Sequence, residues 1–248
     1  LLPKTSAPLT AYYCFLNATK ALLLTKGLAF SDQHGVSGFT LDGQASLSNE
    51  MVKFKSGGIL ASLCSHLGES ANGEIYTLKD LLYNLPNIHR AFDLTYSADT
   101  ELFIPISNPK IVRSQTTHES WFCAELTDAY ASQHTINKLP TGFERERSVQ
   151  DSFIIRARRR FNWRPNQRPA SLNRYKTYHK RLRENLYYIN GGSRLWYIKR
   201  GGNINGIIPR STMTITFAAM HKLSEMARYT PDKLSRHFDC QHIESMIF

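Results

Sequence analysis

The chain has 248 residues, 42% of them hydrophobic, and a formal net charge of +11 from 31 Lys and Arg against 20 Asp and Glu. That length and apolar fraction suffice for a packed core in one large domain or two small ones, and they exclude global disorder. No apolar run approaches the roughly 18 residues of a membrane-spanning helix, and Cys14, Cys64, Cys123 and Cys240, scattered without a CxxC pair, exclude a zinc ribbon.

Leu1–Leu2–Pro3 has neither the basic start nor the long apolar stretch of a signal peptide, and no initiator Met. Trimmed ends, reduced thiols and a cytoplasmic location are therefore expected. Residues 7–26 predict an amphipathic helix: Pro8 sits near its start, Tyr12, Phe15, Leu16, Thr19, Leu22 and Leu23 recur at helical spacing, and Gly27 suits a left-handed cap. Residues 50–55 alternate polar with apolar and predict a strand, Gly57–Gly58 a turn, and Leu60 to Leu67 a short helix or an extended piece. Thr77 to Asp80 resembles a capping box and opens a helix that Pro86 ends.

From Glu101 the pattern turns to β. Glu101–Ile106 reads as a strand, and Pro105 within it predicts an edge. Trp121–Leu126 and Ser152–Arg158 are further strands. Residues 186–190 and 194–199, with Asn190–Gly191–Gly192 between them, are the clearest hairpin. Residues 164–183, rich in Asn, Pro and Arg, read as a long loop or partial helix. Helices resume after Pro209: one carries Phe217, Met220, Leu223 and Met226, and another opens at Thr230–Pro231. The expected fold is α+β. A helical region over residues 1–100 and helices over 210–248 pack together into a bundle, with a β-rich basic region at 101–209 built out from it.

The string Ala11–Leu24, then Lys26–Gly27, His34–Gly35–Val36, Val52–Ile59, Tyr76–Leu82 with Leu85–Pro86, and Ala227–Lys233 resembles the YaaC-like proteins of bacteria. The opening helix with its Lys–Gly and His–Gly is also similar to helical-bundle proteins of the HEPN superfamily, many of which are ribonucleases of toxin–antitoxin and phage-defence systems. The resemblance implies a helical bundle able to dimerise. It also implies that Lys20 and His34 are ligand-binding candidates, against the plainer reading of a structural His and a snorkelling Lys. HEPN ribonucleases use an Arg, then four to six residues, then a His; Arg113 and His118, with four residues between them, have that spacing and are the catalytic candidates. Their place after a strand rather than on a late bundle helix departs from the HEPN pattern.

Charge distribution gives the strongest binding signal. Between Arg156 and Arg210 stand fifteen Lys or Arg and one acid, Glu184, so this stretch supplies the whole positive excess. Such a block attracts polyanions. The nucleic-acid-binding candidates are Arg156, Arg158, Arg159, Arg160, Trp163, Arg164, Arg168, Arg174 and Lys176. In a strand, residues 156, 158 and 160 share a face. Phe161, Trp163, Tyr175, Tyr178 and His179 interleave with the arginines, and aromatics stack on unpaired bases. The expected partner is therefore RNA or single-stranded DNA, and the expected role is a nucleic-acid binder or ribonuclease effector of a defence system. The alternative is a non-catalytic scaffold whose basic surface docks an acidic protein. A multisubunit complex and a homo-oligomer both stay open. A membrane-surface role lacks a basic amphipathic helix in this reading. No cofactor is expected, and His237, Cys240 and His242 read as helix residues rather than as a metal site. No phosphate-loop, dinucleotide, zincin or serine-hydrolase motif occurs.

Overall fold

Apolar side chains at spacings of four, three and four residues (Tyr12, Leu16, Thr19, Leu23) form the buried stripe of the first helix, α1, Ala7–Thr25. Gly27, at φ 67°, takes the left-handed conformation that its place after the helix predicts. The computed structural model describes residues 3, 5–43, 45–147, 153–190 and 194–241. After α1 come β1 Val36–Thr40, β2 Glu50–Phe54, α2 Ile59–Leu67, β3 Ile75–Thr77, α3 Leu78–Tyr83 and α4 His89–Thr95. A second group follows: β4 Phe103–Arg113, β5 Glu119–Leu126, α5 Gln133–Ile136, β6 Phe143–Arg145, β7 Ile154–Ala157, β8 Phe161–Asn162, α6 Arg168–Leu182, β9 Leu186–Asn190 and β10 Arg194–Lys199. The chain closes with α7 Thr212–Tyr229 and α8 Pro231–Gln241. The architecture is α+β with antiparallel sheets, and two compact units divide it: Leu1–Asp99 with Gly206–Phe248, and Thr100–Asn205.

In the first unit α1 packs on α7, and α7 also meets α2, α3, α8, β1 and β2. The unit is not helices alone, because β1, β2 and β3 form an antiparallel sheet beside them. Being enclosed on several sides, α7 buries Phe217, Leu223 and Met226 together with the polar His221, Lys222 and Ser224. Thr77 caps α3 with its side chain, which supplies the N-cap half of a capping box. The Asp80 N–H donates to Thr77 Oγ1 at 2.9 Å, and the Thr77 hydroxyl donates to Asp80 Oδ2 at 2.7 Å.

The second unit is a seven-stranded sheet in the order β6-β7-β5-β4-β10-β9, with β8 pairing β5. Pro105 does not mark an edge strand, since β4 lies between β5 and β10. The strand tolerates it because β4 pairs β10 over Phe103–Ile106 but meets β5 only from Ile106 onward. The 186–199 hairpin pairs Trp196 with Tyr188 and Leu195 with Ile189, while residues 191–193 of its turn lie outside the described residues.

Residues 168–182 form a helix, the second of the two alternatives that the sequence leaves open for 164–183. Ser171, Tyr178 and Leu182 are buried, with Tyr175 half-buried in the same stripe. Tyr178 and Leu182 join the sheet core of Ile104, Ile106, Phe122, Ile155 and Ile198. Between the β7 and β8 ladders the Phe122 N–H has no strand partner, and it donates instead to the Tyr178 hydroxyl at 2.8 Å. That bond fixes α6 on the sheet where the strand edge would otherwise be left unsatisfied.

Candidate functional site

The arginines of the second unit divide into two sets. Strand β7 ends at Ala157, so Arg156, Arg158 and Arg160 do not line one strand face. Arg156 stands opposite Glu144 in the β6–β7 ladder, and carboxylates clamp it: Nη2 to Glu144 at 2.8 Å and Nη1 to Glu146 at 2.9 Å. Arg158 reaches Glu144 at 3.4 Å. Arg160 pairs Glu119 at 2.6 Å and lies over the Trp121 ring at 4.8 Å. The positive charges of these residues are matched within the unit.

Helix α6 is different. It contains Arg168, Arg174, Lys176, Lys180 and Arg181 and no acid, all five are exposed, and none forms an ion pair among the described residues. With the buried stripe turned to the sheet, helical geometry puts Arg174 and Arg181 on one flank and Arg168 on the other, with Lys176 and Lys180 along the crest. His179, Lys180 and Arg181 in the last turn also suit the negative end of the helix dipole. Arg159 and Arg181 line a cavity of about 410 Å³ together with Phe143, Ala157 and Tyr178. A larger cavity of about 1180 Å³ carries Arg145, Arg147, Arg156 and Arg158 on its wall. Arg164 is exposed, and its N–H donates to Ser171 Oγ at 2.9 Å, tying the start of α6 to the chain before it.

The interleaved aromatics serve packing more than base stacking. Phe161 sits 4.8 Å from the Tyr178 ring and 5.7 Å from Tyr175, and Tyr175 lies 5.9 Å from His179. Tyr178 is buried, and its hydroxyl is taken by the Phe122 N–H. Trp163 is half-buried, and its N–H donates to the His118 carbonyl at 2.8 Å. Arg113, at the end of β4, and His118, just before β5, do meet: Arg113 Nη2 lies 3.3 Å from His118 Nδ1, with both side chains exposed.

In the first unit Lys20 and His34 fall beside a polar cluster that crosses several elements. The His34 loop is pinned by the start of α2. Ile59 N–H donates to the Gln33 carbonyl at 2.8 Å and Leu60 N–H to the His34 carbonyl at 3.1 Å, so two otherwise orphan helix donors hold the loop. Gly35 and Gly58 permit this approach. A Cβ on Gly58 would lie 2.5 Å from Gly35 N, and both glycines have positive φ, 77° and 103°. His34 Nδ1 is hydrogen-bonded to the Tyr12 hydroxyl. The Tyr12 ring lies 5.6 Å from His34 and 5.2 Å from His221, and the two imidazoles are 5.4 Å apart. Glu225 Oε1 stands 3.8 Å from His221 Nδ1, which is buried without a hydrogen-bond partner among the described residues. Arg228 donates to the Tyr13 hydroxyl at 2.5 Å and to that of Tyr229 at 3.3 Å. Lys20 pairs with exposed Asp32 at 3.3 Å.

The electrostatics follow from this packing. Burial pushes the His221 imidazole down to about 3, helped by His34, Lys222, Lys55 and Arg228. Burial, then Arg228 and Lys20, also lowers His34, so both imidazoles are neutral at pH 7. Burial raises Tyr12 and Glu225. Deeper in the unit, Lys222 Nζ meets Glu50 at 2.9 Å, Thr40 Oγ1 donates to Glu50 at 2.7 Å, and His237 Nε2 lies 3.4 Å away. His237 is therefore a partner of Glu50, while the side chain of Cys240 and all of His242 lie outside the described residues. Among the described residues no group of three or more His, Cys, Asp or Glu is placed to hold a metal ion.

Sequence reasoning located Lys20 and His34 but missed Tyr12, His221, Glu225 and Arg228. The available signal was on α7, where His221, Lys222, Glu225 and Arg228 interrupt an apolar stripe at three- and four-residue spacing. Compared with known proteins, the family model described as YaaC-like Protein matches residues 1–248. No curated protein and no solved structure matches the chain.

Proposed function

We propose, for a chain that belongs to the YaaC-like protein family, that the second unit binds single-stranded nucleic acid along α6 and the arginine-lined cavity beside it. One observation carries the reading: α6 holds five exposed Lys and Arg, no acid and no ion pair among the described residues. Arg156, Arg158 and Arg160 are matched to carboxylates, whereas the charges of α6 are left for a partner. Guanidinium forks and ammonium groups pair with phosphates, and half-buried Trp163 offers an aromatic surface near Arg164. A lipid surface suits α6 less well, because its apolar stripe is spent on the sheet core. No helix among the described residues is long and apolar enough to cross a membrane.

Phosphate contacts release counterions. Affinity for a labelled single-stranded RNA, measured by fluorescence anisotropy, is expected to fall steeply between about 0.05 and 0.2 M salt. A flat salt dependence overturns the reading and transfers the surface to a protein partner.

The ribonuclease role in a defence system, which follows the HEPN resemblance, rests on the meeting of Arg113 with His118. An imidazole beside a guanidinium pairs a proton-transfer group with a phosphate-facing cation. His118→Ala is expected to abolish cleavage of the bound strand while leaving its affinity unchanged. Cleavage at the wild-type rate removes this pair from the chemistry.

A further inference from the structure

Around His34 the first unit gathers more positive charge than its fold uses. Arg228 is fully exposed, and the contacts that hold it come from tyrosines: the Tyr13 and Tyr229 hydroxyls, and the rings of the same two residues at 5.6 and 5.4 Å. No carboxylate pairs with it among the described residues. The Lys20 pair with Asp32 is a surface contact, the Asp32 side chain being 95% exposed. Such pairs contribute little and exchange readily. Lys55 is exposed and close enough to act on both His221 and Glu225. His34 is half-buried; Tyr12 engages its Nδ1, and its Nε2 has no partner among the described residues.

We propose that this face is a binding site for a phosphate monoester, held by Arg228, Lys20 and the Nε2 edge of His34. A carboxylate is satisfied by one guanidinium fork. A phosphate dianion presents three terminal oxygens and takes an Arg, a Lys and an imidazole N–H together. The Tyr12 hydroxyl orients the imidazole from behind. The buried Nδ1 of His221, unpaired among the described residues, sits in the next layer. Leaving such an atom unsatisfied is costly, and buried polar groups in a purely structural core are ordinarily paired. The segments that meet here, residues 11–24, 34–36 and 227–233, are separate in sequence and all lie within the first unit. The site is thus independent of the α6 surface.

The test uses the full chain carrying Gln at Arg168, Arg174, Lys176, Lys180 and Arg181, so that α6 contributes nothing. Inorganic phosphate, adenosine 5′-monophosphate and a 5′-phosphorylated oligoribonucleotide are titrated while the ring protons of His34 are followed by NMR. Binding is expected to shift those protons and to raise the pH at which His34 charges, because a bound anion reverses the effect of Arg228 and Lys20. The other charged or titrating groups around the ring are Tyr12, Lys55, His221 and Glu225. Arg228→Gln and Lys20→Gln are expected each to weaken phosphate binding at least tenfold with unchanged thermal unfolding, since both side chains leave the core intact. Affinity for the mononucleotide above that for the oligonucleotide assigns a free nucleotide as ligand, and the reverse assigns a strand end. Failure of all three probes to shift His34, or binding unaffected by Arg228→Gln, overturns the site. Loss of RNA binding by α6 alone leaves it standing.

Discussion

Lys222→Met is expected to destabilise the first unit by about 3–5 kcal/mol, the range for breaking a buried ion pair by removing one partner. Both groups are out of water: the Lys222 side chain is 5% exposed and that of Glu50 3%. Without the ammonium, Glu50 keeps only the Thr40 hydroxyl and His237, and its charge lacks a full counterion. Urea unfolding followed by circular dichroism reads the loss. Glu50→Gln combined with Lys222→Met is expected to lose less than the sum of the single changes, because no uncompensated charge remains. The same cluster sets an acid limit. Burial raises the Glu50 carboxyl, but hydrogen bonds from His237, Lys222 and Thr40 and the Lys222 charge outweigh it and hold the group at about 2, below its ordinary 4.5. A depressed folded-state value means that this stabilisation is complete above pH 4.5 and is lost as the pH falls toward 2. The shift corresponds to about 3 kcal/mol. If Lys222→Met unfolds at the wild-type urea concentration, the cluster is not holding the unit together.

Replacement of Arg168, Arg174, Lys176, Lys180 and Arg181 by Gln is expected to remove nearly all RNA affinity at moderate salt. Each phosphate contact to a single strand adds about 0.7 to the salt exponent, so five contacts correspond to a loss on the order of 10³-fold at 0.1 M salt. Gln is a good helix former and leaves the Ser171, Tyr178 and Leu182 stripe untouched, so folding is expected to survive. Arg156→Ala provides the contrast. Its guanidinium is committed to Glu144 and Glu146, so the expected outcome is a stability loss of about 1–3 kcal/mol with affinity preserved. Equal affinity losses from Arg156→Ala and from the α6 replacements would show that the strand passes through the larger cavity instead.

Local signals were legible in the sequence, and distant partners were not. Gly27, the Thr77 cap and the 186–199 hairpin each depend on neighbours within a few residues, and each lies where the pattern puts it. Helix α6 stayed open between loop and partial helix because a polar segment with Pro165 and Pro169 resembles a loop. What makes it helical is one stripe, Ser171 to Leu182, whose value comes from Ile104, Phe122 and Ile198 on a sheet it cannot see in sequence. Arg156 looked free for the same reason. Its carboxylates arrive on β6, and only the Glu144–Arg156 register brings them opposite. In the first unit His34 was visible through the family resemblance that covers His34–Gly35. Tyr12 and His221 were not, since an aromatic or a His within an apolar helical stripe is ordinarily core.

The interruption of the first unit between Asp99 and Gly206 has a bearing on how the chain is made. Helix α1 leaves the ribosome early, but its packing surface on α7 is not translated until Thr212. At common elongation rates that interval lasts on the order of 10 to 40 s. Throughout it, Tyr12 and Phe15 lack their native contact with Phe217 on α7, while the inserted sheet has already been synthesised. Nascent-chain folding is thus ordered from the inside outward, and the stretch before Asp99 is where a chaperone has the longest opportunity to act.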